Sequence, residues 1–382
     1  VGDSQKRIRV LVVDDSLITT QAISRVLSED PQIEVVGRVL RGDRAIDEVE
    51  RLHPDVVTMD INMPGMDGIE ATRRIVSRFR TPIVIVSAFA TARSVAVGTL
   101  QALQSGAVEC VQKPSGEIGL DMERVGAELK TKIKAAARAK PSAPRSSPGP
   151  SPGPSPSYEP LSSRTPLSSR EPISLRSPST TEMPGRGEAW NRVQPSETLL
   201  VAIGISTGGP STLERIVPKI PSSFSAPIVM VIHMSSQFIP ILAEKLDASS
   251  PVGVGVATDG EPLRAGRLYV APADVHLEVT VDLRARLVPG RPLWGCLPAV
   301  DVLFDSVARN VGSRALGLVL TGMGRDGAKG LKAMRDRGAV TASQDEASSV
   351  VYGMPRAAME SGAARYEVPL DRVVEFLRQA VR

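Results

Sequence analysis

The stretch IRVLVVDDS at residues 8–16 is an apolar, β-branched run that stops at two adjacent carboxylates, Asp14 and Asp15, and an amphipathic stretch follows it. A run of this length bounded by polar residues reads as a buried strand, and its passage into helical periodicity makes one strand–helix unit. The pattern recurs at 34–40, 55–60, 82–87 and 107–112. Five such units in succession predict a parallel sheet covered by helices on both faces, an α/β fold. The alternation resumes in LLVAIGI (199–205), PIVMVIHM (227–234), VGVGVAT (252–258), RLYVAP (267–272) and ALGLVLTGM (315–323). A hairpin is expected in HLEVTVDLRARLVPG (276–290), so the second region is also predicted to be α/β, doubly wound, with a mainly parallel sheet.

Between these regions, residues 141–196 change abruptly to proline, serine, glycine and arginine. SPGPSPGPSPS (147–157) favours polyproline II structure, and a degenerate repeat follows in PLSSR (160–164), PLSSR (166–170) and PISLR (172–176). So few large apolar groups cannot offset the entropy of ordering, so this segment reads as a disordered linker between a domain at 1–140 and another at 197–382. The total of 382 residues agrees with two domains. Aromatic residues at 3% leave no stacking platform for single-stranded nucleic acid, and the basic run KTKIKAAARAK (130–140) is expected to be the solvated end of a helix. Cys110 and Cys296 lie in different halves with no metal or redox spacing, which points to a reducing compartment. The longest apolar runs are strand-sized and no charged-then-apolar leader precedes them, so the expected location is the cytoplasm, without insertion into a membrane.

In a parallel sheet, functional groups gather at the carboxyl ends of strands. The first domain places Asp14 and Asp15 after its first strand, Asp60 after its third, Ser87 at the end of its fourth and Lys113 after its fifth. Three carboxylates converging with a lysine repel one another unless a cation sits among them, and oxygen ligands suit Mg²⁺. VLVVDDS, MDINMPGMDG, VSA and VQKP over roughly 7–138 resemble the receiver domain of two-component response regulators. The resemblance implies a flavodoxin-like fold, phosphorylation of Asp60 by a histidine kinase, and Mg²⁺ held by Asp14, Asp15, Asp60 and the backbone carbonyl of Asn62. It assigns the phosphoryl oxygens to Ser87 and Lys113. One departure stands out: where receivers commonly carry an aromatic switch residue, three positions before the lysine, this chain has Cys110.

The second domain opens with GISTGGPS (204–211), where a glycine-flanked serine is either a nucleophile or part of an anion-binding loop. A serine nucleophile needs a base, and the chain has three histidines: His53, His233 and His276. His53 reads as a surface residue of the first domain. His233 ends a strand at the sheet edge that also carries Ser206, and Asp326 in VLTGMGRDGA (319–328) follows another strand. These three form the parts of an acyl-transfer site, although the local pattern alone also allows Asp326 to be a plain helix cap. Gly208, Gly209 and Pro210 are expected to open a helix whose positive end helps an oxyanion.

GISTGGP, VIHM, GEPLRAGRLYVAP, VDVLFDSVA, LTGMGRDGAKGL and SQDEASSVVYGMP together resemble, in order, the chemotaxis receptor methylesterases. These are protein-glutamate methylesterases that also deamidate glutamine and usually carry a receiver in front. The resemblance implies Ser206, His233 and Asp326 as triad, the amides of Thr207 and Met323 as oxyanion donors, and no cofactor for the ester step. It further implies γ-methyl glutamate esters on the cytoplasmic bundle of methyl-accepting chemoreceptors as substrate, with an unphosphorylated receiver packed over the site. A flexible linker of about 55 residues spans about 40 Å r.m.s., which does not abolish docking, so inhibition is expected to survive and to be shallower than usual.

Three other readings compete. GISTG fits the α/β-hydrolase elbow, whose order Ser206, Asp259, His276 also satisfies; however, His276 alternates as a strand residue and Asp259 precedes Gly260 in an ordinary turn. A non-enzymatic receptor-binding protein would show a damaged triad, and a DNA-binding regulator would show a helix-turn-helix after the linker. Neither signature is present in the sequence.

Overall fold

The computed structural model describes residues 6–87, 93–113, 120–140, 188–194 and 197–381. The proline-rich segment and its PLSSR repeat lie outside them. Among the described residues, the strands form a five-stranded sheet, an eight-stranded sheet and a two-stranded ribbon.

The first sheet is built from β1 (Ile8–Val13), α1 (Leu17–Ser28), β2 (Ile33–Val39), α2 (Gly42–Leu52), β3 (Val56–Met59), α3 (Gly68–Phe79), β4 (Ile83–Ser87), α4 (Arg93–Gln104), β5 (Glu109–Gln112) and α5 (Leu120–Ala136). Its order is β2-β1-β3-β4-β5 and every pairing is parallel. The period of two is visible in β1: Val10 and Val12 pack with Ile23 and Leu27 on one face, and Leu11 and Val13 pack with Ala45 and Val49 on the other. Each such fully buried side chain contributes about 1.5–3 kcal/mol, and the four consecutive buried positions Val10–Val13 are all apolar.

The second part contains β6 (Glu188–Ala189), β7 (Leu200–Ile205), α6 (Gly209–Ile216), β8 (Ile228–Ile232), α7 (Phe238–Ser249), β9 (Gly253–Val256), β10 (Arg267–Val270), β11 (His276–Val279) and β12 (Ala285–Val288). It continues with α8 (Val300–Asn310), β13 (Ala315–Val319), α9 (Ala328–Asp336), β14 (Val340–Gln344), α10 (Met354–Glu360), β15 (Tyr366–Val368) and α11 (Val373–Ala380). The sheet order is β6-β15-β14-β13-β7-β8-β10-β9, all parallel, with β11 and β12 as the antiparallel hairpin. In β7, Val201, Ile203 and Ile205 enter the core on one face, and Leu200 and Ala202 enter the core on the other.

Two expectations are modified. Residues 188–194, assigned to the linker on composition, include strand β6, which pairs with β15 and is followed by a short turn at Trp190–Arg192. The basic run at 130–140 is not a merely solvated helix end. Lys130 pairs with Glu29, Lys134 with Asp30, and Lys132 reaches Glu128, Glu109 and the carbonyl of Cys110.

The two sheets belong to one compact unit. Helix α4 packs against α6 and α7, and Leu100 lies in the same core as Leu213 and Ile239. The backbone N–H of Lys140 donates to the carbonyl of Val350 at 3.0 Å.

Candidate functional site

The first site lies at the carboxyl edge of the five-stranded sheet. Asp14 and Asp60 are buried, at 1% and 3% exposure, while Asp15 is exposed. Lys113 Nζ sits between them, 2.7 Å from Asp14 Oδ2 and 3.0 Å from Asp60 Oδ1. Burial raises the pKa of Asp60 against the opposing pull of Lys113; burial also opposes the charge on Lys113, but Asp14 and Asp60 raise its pKa overall. Carboxylate oxygens of Asp14, Asp15 and Asp60 lie within 4.8 Å of one another, a donor set that fits a hard divalent cation. Among the described residues, the buried Ser87 Oγ has no hydrogen-bond partner. Gly68 allows the loop to fold tightly, since a Cβ there would lie 1.8 Å from the Asp60 carbonyl oxygen.

The second site lies at the carboxyl edge of β13, β7 and β8, which are neighbours in the sheet. This adjacency aligns the loops after the three strands: His233 N–H donates to the Ile205 carbonyl at 3.1 Å, and Ser206 N–H donates to the Thr321 carbonyl at 3.0 Å. Ser206 turns the chain from β7 into α6, with Gly209 N–H returning to the Ser206 carbonyl at 2.7 Å. Gly208 makes that turn at φ +78°, a region that side chains avoid, and a Cβ there would also meet Val350 Cβ at 2.5 Å. Gly322 is required for a different reason: its Cβ would lie 2.8 Å from Ser206 Cβ and 2.4 Å from Met354 Sδ.

Asp326 is 2% exposed and does not cap its own helix, whose N-cap is Gly327 at φ +90°. Its carboxylate instead accepts from the backbone N–H groups of Val300 (2.7 Å) and Asp301 (2.9 Å) at the start of α8, and from His233 Nε2 at 2.9 Å. Three donors to one buried carboxylate fix its rotamer and fix the proton of His233 on Nε2. The basic lone pair is thereby left on Nδ1, which faces Cys296 Sγ at 3.6 Å. Burial lowers the basicity of His233, but the bonds to Asp326 and Cys296 outweigh it and push the pKa up to about 9. Among the described residues, Ser206 Oγ has no hydrogen-bond partner, and neither Thr207 N–H nor Met323 N–H has an acceptor.

The peptide of Thr207 is clamped. Its carbonyl accepts from Thr321 Oγ1 at 3.0 Å, Thr321 Oγ1 also accepts from Val351 N–H at 2.9 Å, and Thr321 N–H donates to Gln344 Oε1 at 2.8 Å. Thr321 and Gln344 are fully buried and were not singled out from sequence, although Thr321 and Gln344 fall within motifs quoted above. Glu109, on β5 of the first sheet, accepts from Thr207 Oγ1 at 2.9 Å. Its neighbour Cys110 packs against the cluster of Ala96 and Phe238, which Met234, the residue after His233, also joins, so adjacent residues of β5 reach the surroundings of Ser206 and His233.

The rival triad is not assembled. His276 is a buried strand residue whose Nε2 bonds the Arg291 carbonyl at 3.1 Å and whose Nδ1 accepts from Ala299 N–H at 3.2 Å. With both ring nitrogens engaged by backbone, it has no lone pair for a serine. Asp259 accepts from Leu287 N–H at 2.8 Å, and His53 is an exposed residue ending α2 in a left-handed conformation. Among the described residues, no helix is long and apolar enough to cross a membrane.

Comparison with known proteins bears directly on this pair of sites. Residues 201–377 match the CheB methylesterase family profile, and residues 10–122 match that of the response regulator receiver domain. A protein-glutamate methylesterase/protein-glutamine glutaminase of Symbiobacterium thermophilum is 39% identical over 377 residues, 99% of this chain and 98% of the relative. One of Caulobacter vibrioides is 43% identical over 368 residues, 96% of this chain and 95% of the relative. The solved catalytic domain of Thermotoga maritima CheB methylesterase is 37% identical, covering 48% of this chain and 98% of its own, at a TM-score of 0.46. The chain therefore belongs to the protein-glutamate methylesterase/protein-glutamine glutaminase family of chemotaxis, in which a receiver domain regulates the esterase.

Proposed function

We propose that Ser206, His233 and Asp326 carry the ester hydrolysis, on glutamyl γ-methyl esters of the cytoplasmic domain of methyl-accepting chemoreceptors. Ser206 Oγ attacks the ester carbonyl as His233 Nδ1 takes its proton. The oxyanion is received by the N–H groups of Thr207 and Met323, both free of other acceptors. Collapse expels methanol, which takes the proton from His233; water then repeats the sequence and leaves the carboxylate. A glutamine side chain follows the same course with ammonia as the leaving group. The single observation that carries this reading is the Asp326 carboxylate, buried and saturated by two N–H groups and His233, an arrangement that orients an imidazole. The Ser206–imidazole bond is absent here, and such bonds commonly tighten only with substrate.

In the receiver, Asp60 is the proposed phosphoacceptor for a chemosensory histidine kinase. Asp14, Asp15, Asp60 and the carbonyl of Asn62 would hold Mg²⁺, which supplies charge neutralisation during phosphoryl transfer. Lys113 already bridges Asp14 and Asp60 and is placed to pair with the added phosphoryl charge, and the unpartnered Ser87 hydroxyl is free to bond its oxygens. The domain limits proposed are 1–140 for the receiver and 197–382 for the esterase, extended by the edge strand β6.

The test is methanol release from a methylated chemoreceptor fragment, with and without a small phosphodonor and Mg²⁺. Ser206→Ala should lose about 10⁴- to 10⁶-fold, while His276→Ala should remain active. Activity retained in Ser206→Ala would sink the triad, and a rate indifferent to the phosphodonor would sink the role of Asp60.

A further inference from the structure

We propose that Cys296 and His233 together form a binding site for a thiophilic divalent cation, Zn²⁺ foremost, and that its occupation inhibits the esterase. Zn²⁺ in tetrahedral coordination has Zn–S near 2.3 Å and Zn–N near 2.0–2.1 Å, which places sulfur and nitrogen about 3.6 Å apart. Cys296 Sγ and His233 Nδ1 are 3.6 Å apart. The opposite ring nitrogen is held by Asp326 Oδ2 at 2.9 Å, the carboxylate–histidine arrangement that orients an imidazole toward a metal and strengthens it as a ligand. Ligand atoms of His233, Cys296 and Asp326 cluster within 4.8 Å, but one imidazole nitrogen serves one ion, so Asp326 supports the site from behind.

The cysteine is held by its own loop. Leu293 and Cys296 exchange both backbone hydrogen bonds, at 3.0 and 2.9 Å, around Trp294 and Gly295, which have φ of 55° and 80°. Trp294 Nε1 then donates to Asp301 Oδ2 at 2.9 Å, and Asp301 N–H donates to Asp326 Oδ1 at 2.9 Å. Cys296 is thus tied to the same carboxylate that orients His233. Both ligands are partly exposed, so an ion can enter and water can complete its shell. Two protein ligands make a reversible site, and Mg²⁺, a hard ion that prefers oxygen, is not its occupant. An ion on Nδ1 removes the lone pair that accepts the serine proton. That inhibition rests on the triad reading, whereas the binding site does not.

Co²⁺ serves as the probe for the full-length reduced protein, because thiolate ligation gives a charge-transfer band. Wild type and Ser206→Ala should both develop the band and lose it to Zn²⁺; Cys296→Ser should not develop it. Burial pushes the thiol of Cys110, the other cysteine, up to about 12, so it should not contribute. Zn²⁺ should inhibit methanol release reversibly by chelator, and the half-inhibitory concentration should rise at least about tenfold in Cys296→Ser, each variant scaled to its own metal-free rate. No band in wild type, or equal Zn²⁺ sensitivity in Cys296→Ser, would overturn the site and leave a thiol–imidazole hydrogen bond. If Ser206→Ala instead retained esterase activity, the triad would fail while the cobalt band still judged the metal site.

Discussion

Replacing Glu109 by alanine should raise the esterase activity of the unphosphorylated protein. Glu109 accepts from Thr207 Oγ1 at 2.9 Å, across the contact between the two sheets, and Thr207 is 7% exposed. A hydrogen bond to a charged acceptor is worth about 1.5–3 kcal/mol, so a bond made only in the docked arrangement biases docking by about 10- to 150-fold. Two features favour the lower figure. Lys132 keeps Glu128 at 2.8 Å when Glu109, at 3.6 Å, is gone, so no cation is stranded. The docked state also retains the apolar contacts of Leu100, Ala96 and Cys110. The expected result is a rise of about tenfold in methanol release without phosphodonor, with the phosphodonor-stimulated rate little altered. Glu109→Gln, which can still accept, should fall between. Thr207→Val removes the same bond from the other side, so combining it with Glu109→Ala should add nothing to basal release. A basal rate equal to wild type in a folded Glu109→Ala protein, or simple additivity in the double variant, would refute the assignment of this contact as a restraint.

Removing residues 1–187, which leaves β6 in place, should raise specific activity; an unchanged rate would mean that docking through the contacts described above does not restrain the enzyme. His233 with a pKa near 9 is mostly protonated at neutral pH, so kcat/KM should climb about tenfold per pH unit and level off near 9, and a plateau already at pH 7 would contradict the resting contact. Cys296→Ser should move that limb to lower pH, because the Cys296 contact contributes to the upward shift. The same raised pKa makes the protonated His233 a stabilising group that is fully effective below about pH 6.5 and lost as pH rises through about 9, readable as a fall in thermal midpoint above neutrality. Gly322→Ala should lower kcat severely, since its methyl group would displace Ser206 or Met354, and unaltered kinetics would show that the turn can yield.

What could be read from sequence and what could not divides along a physical line. Strands β7, β8 and β13 are continuous apolar runs, and β1, β3 and β4 are dominated by apolar residues, because both faces of a parallel sheet are buried, and the candidate site residues lie at their carboxyl ends. Strand β14, VTASQ, is nearly as buried but is small and polar, because Gln344 and Thr341 spend their groups on Thr321 and Arg365 backbone; its composition resembles a loop. The linker reading overran β6 for the related reason that a two-residue edge strand carries no periodicity at all. Asp326 could be placed near a helix start from its sequence position, but the helix it binds is α8, reached only through folding.

Contacts between remote segments carry no spacing, and this is why Glu109 and Cys296 stayed hidden as partners of Thr207 and His233. Cys110 was visible as a missing aromatic, and the structure gives that departure a physical sense. The position packs against Ala96 and Phe238 rather than open solvent, and the residue before it holds Thr207 directly. A bulky ring that swings between two rotamers would have to displace those side chains, whereas a strand followed directly by Lys113 can transmit a shift along its own backbone. Lys113 N–H donates to the Ser87 carbonyl at 2.6 Å, so movement of either of the residues proposed to bind the phosphoryl group would pull on β5 itself. Glu109 and Cys110 are on that strand, the first bonded to Thr207, next to Ser206, and the second packed against Phe238. If β5 couples the phosphate to the esterase, restoring an aromatic as Cys110→Tyr should loosen docking through overpacking rather than improve the switch, raising basal methanol release and lowering the ratio of stimulated to basal rate; a larger ratio would assign the coupling to the side chain instead of the strand.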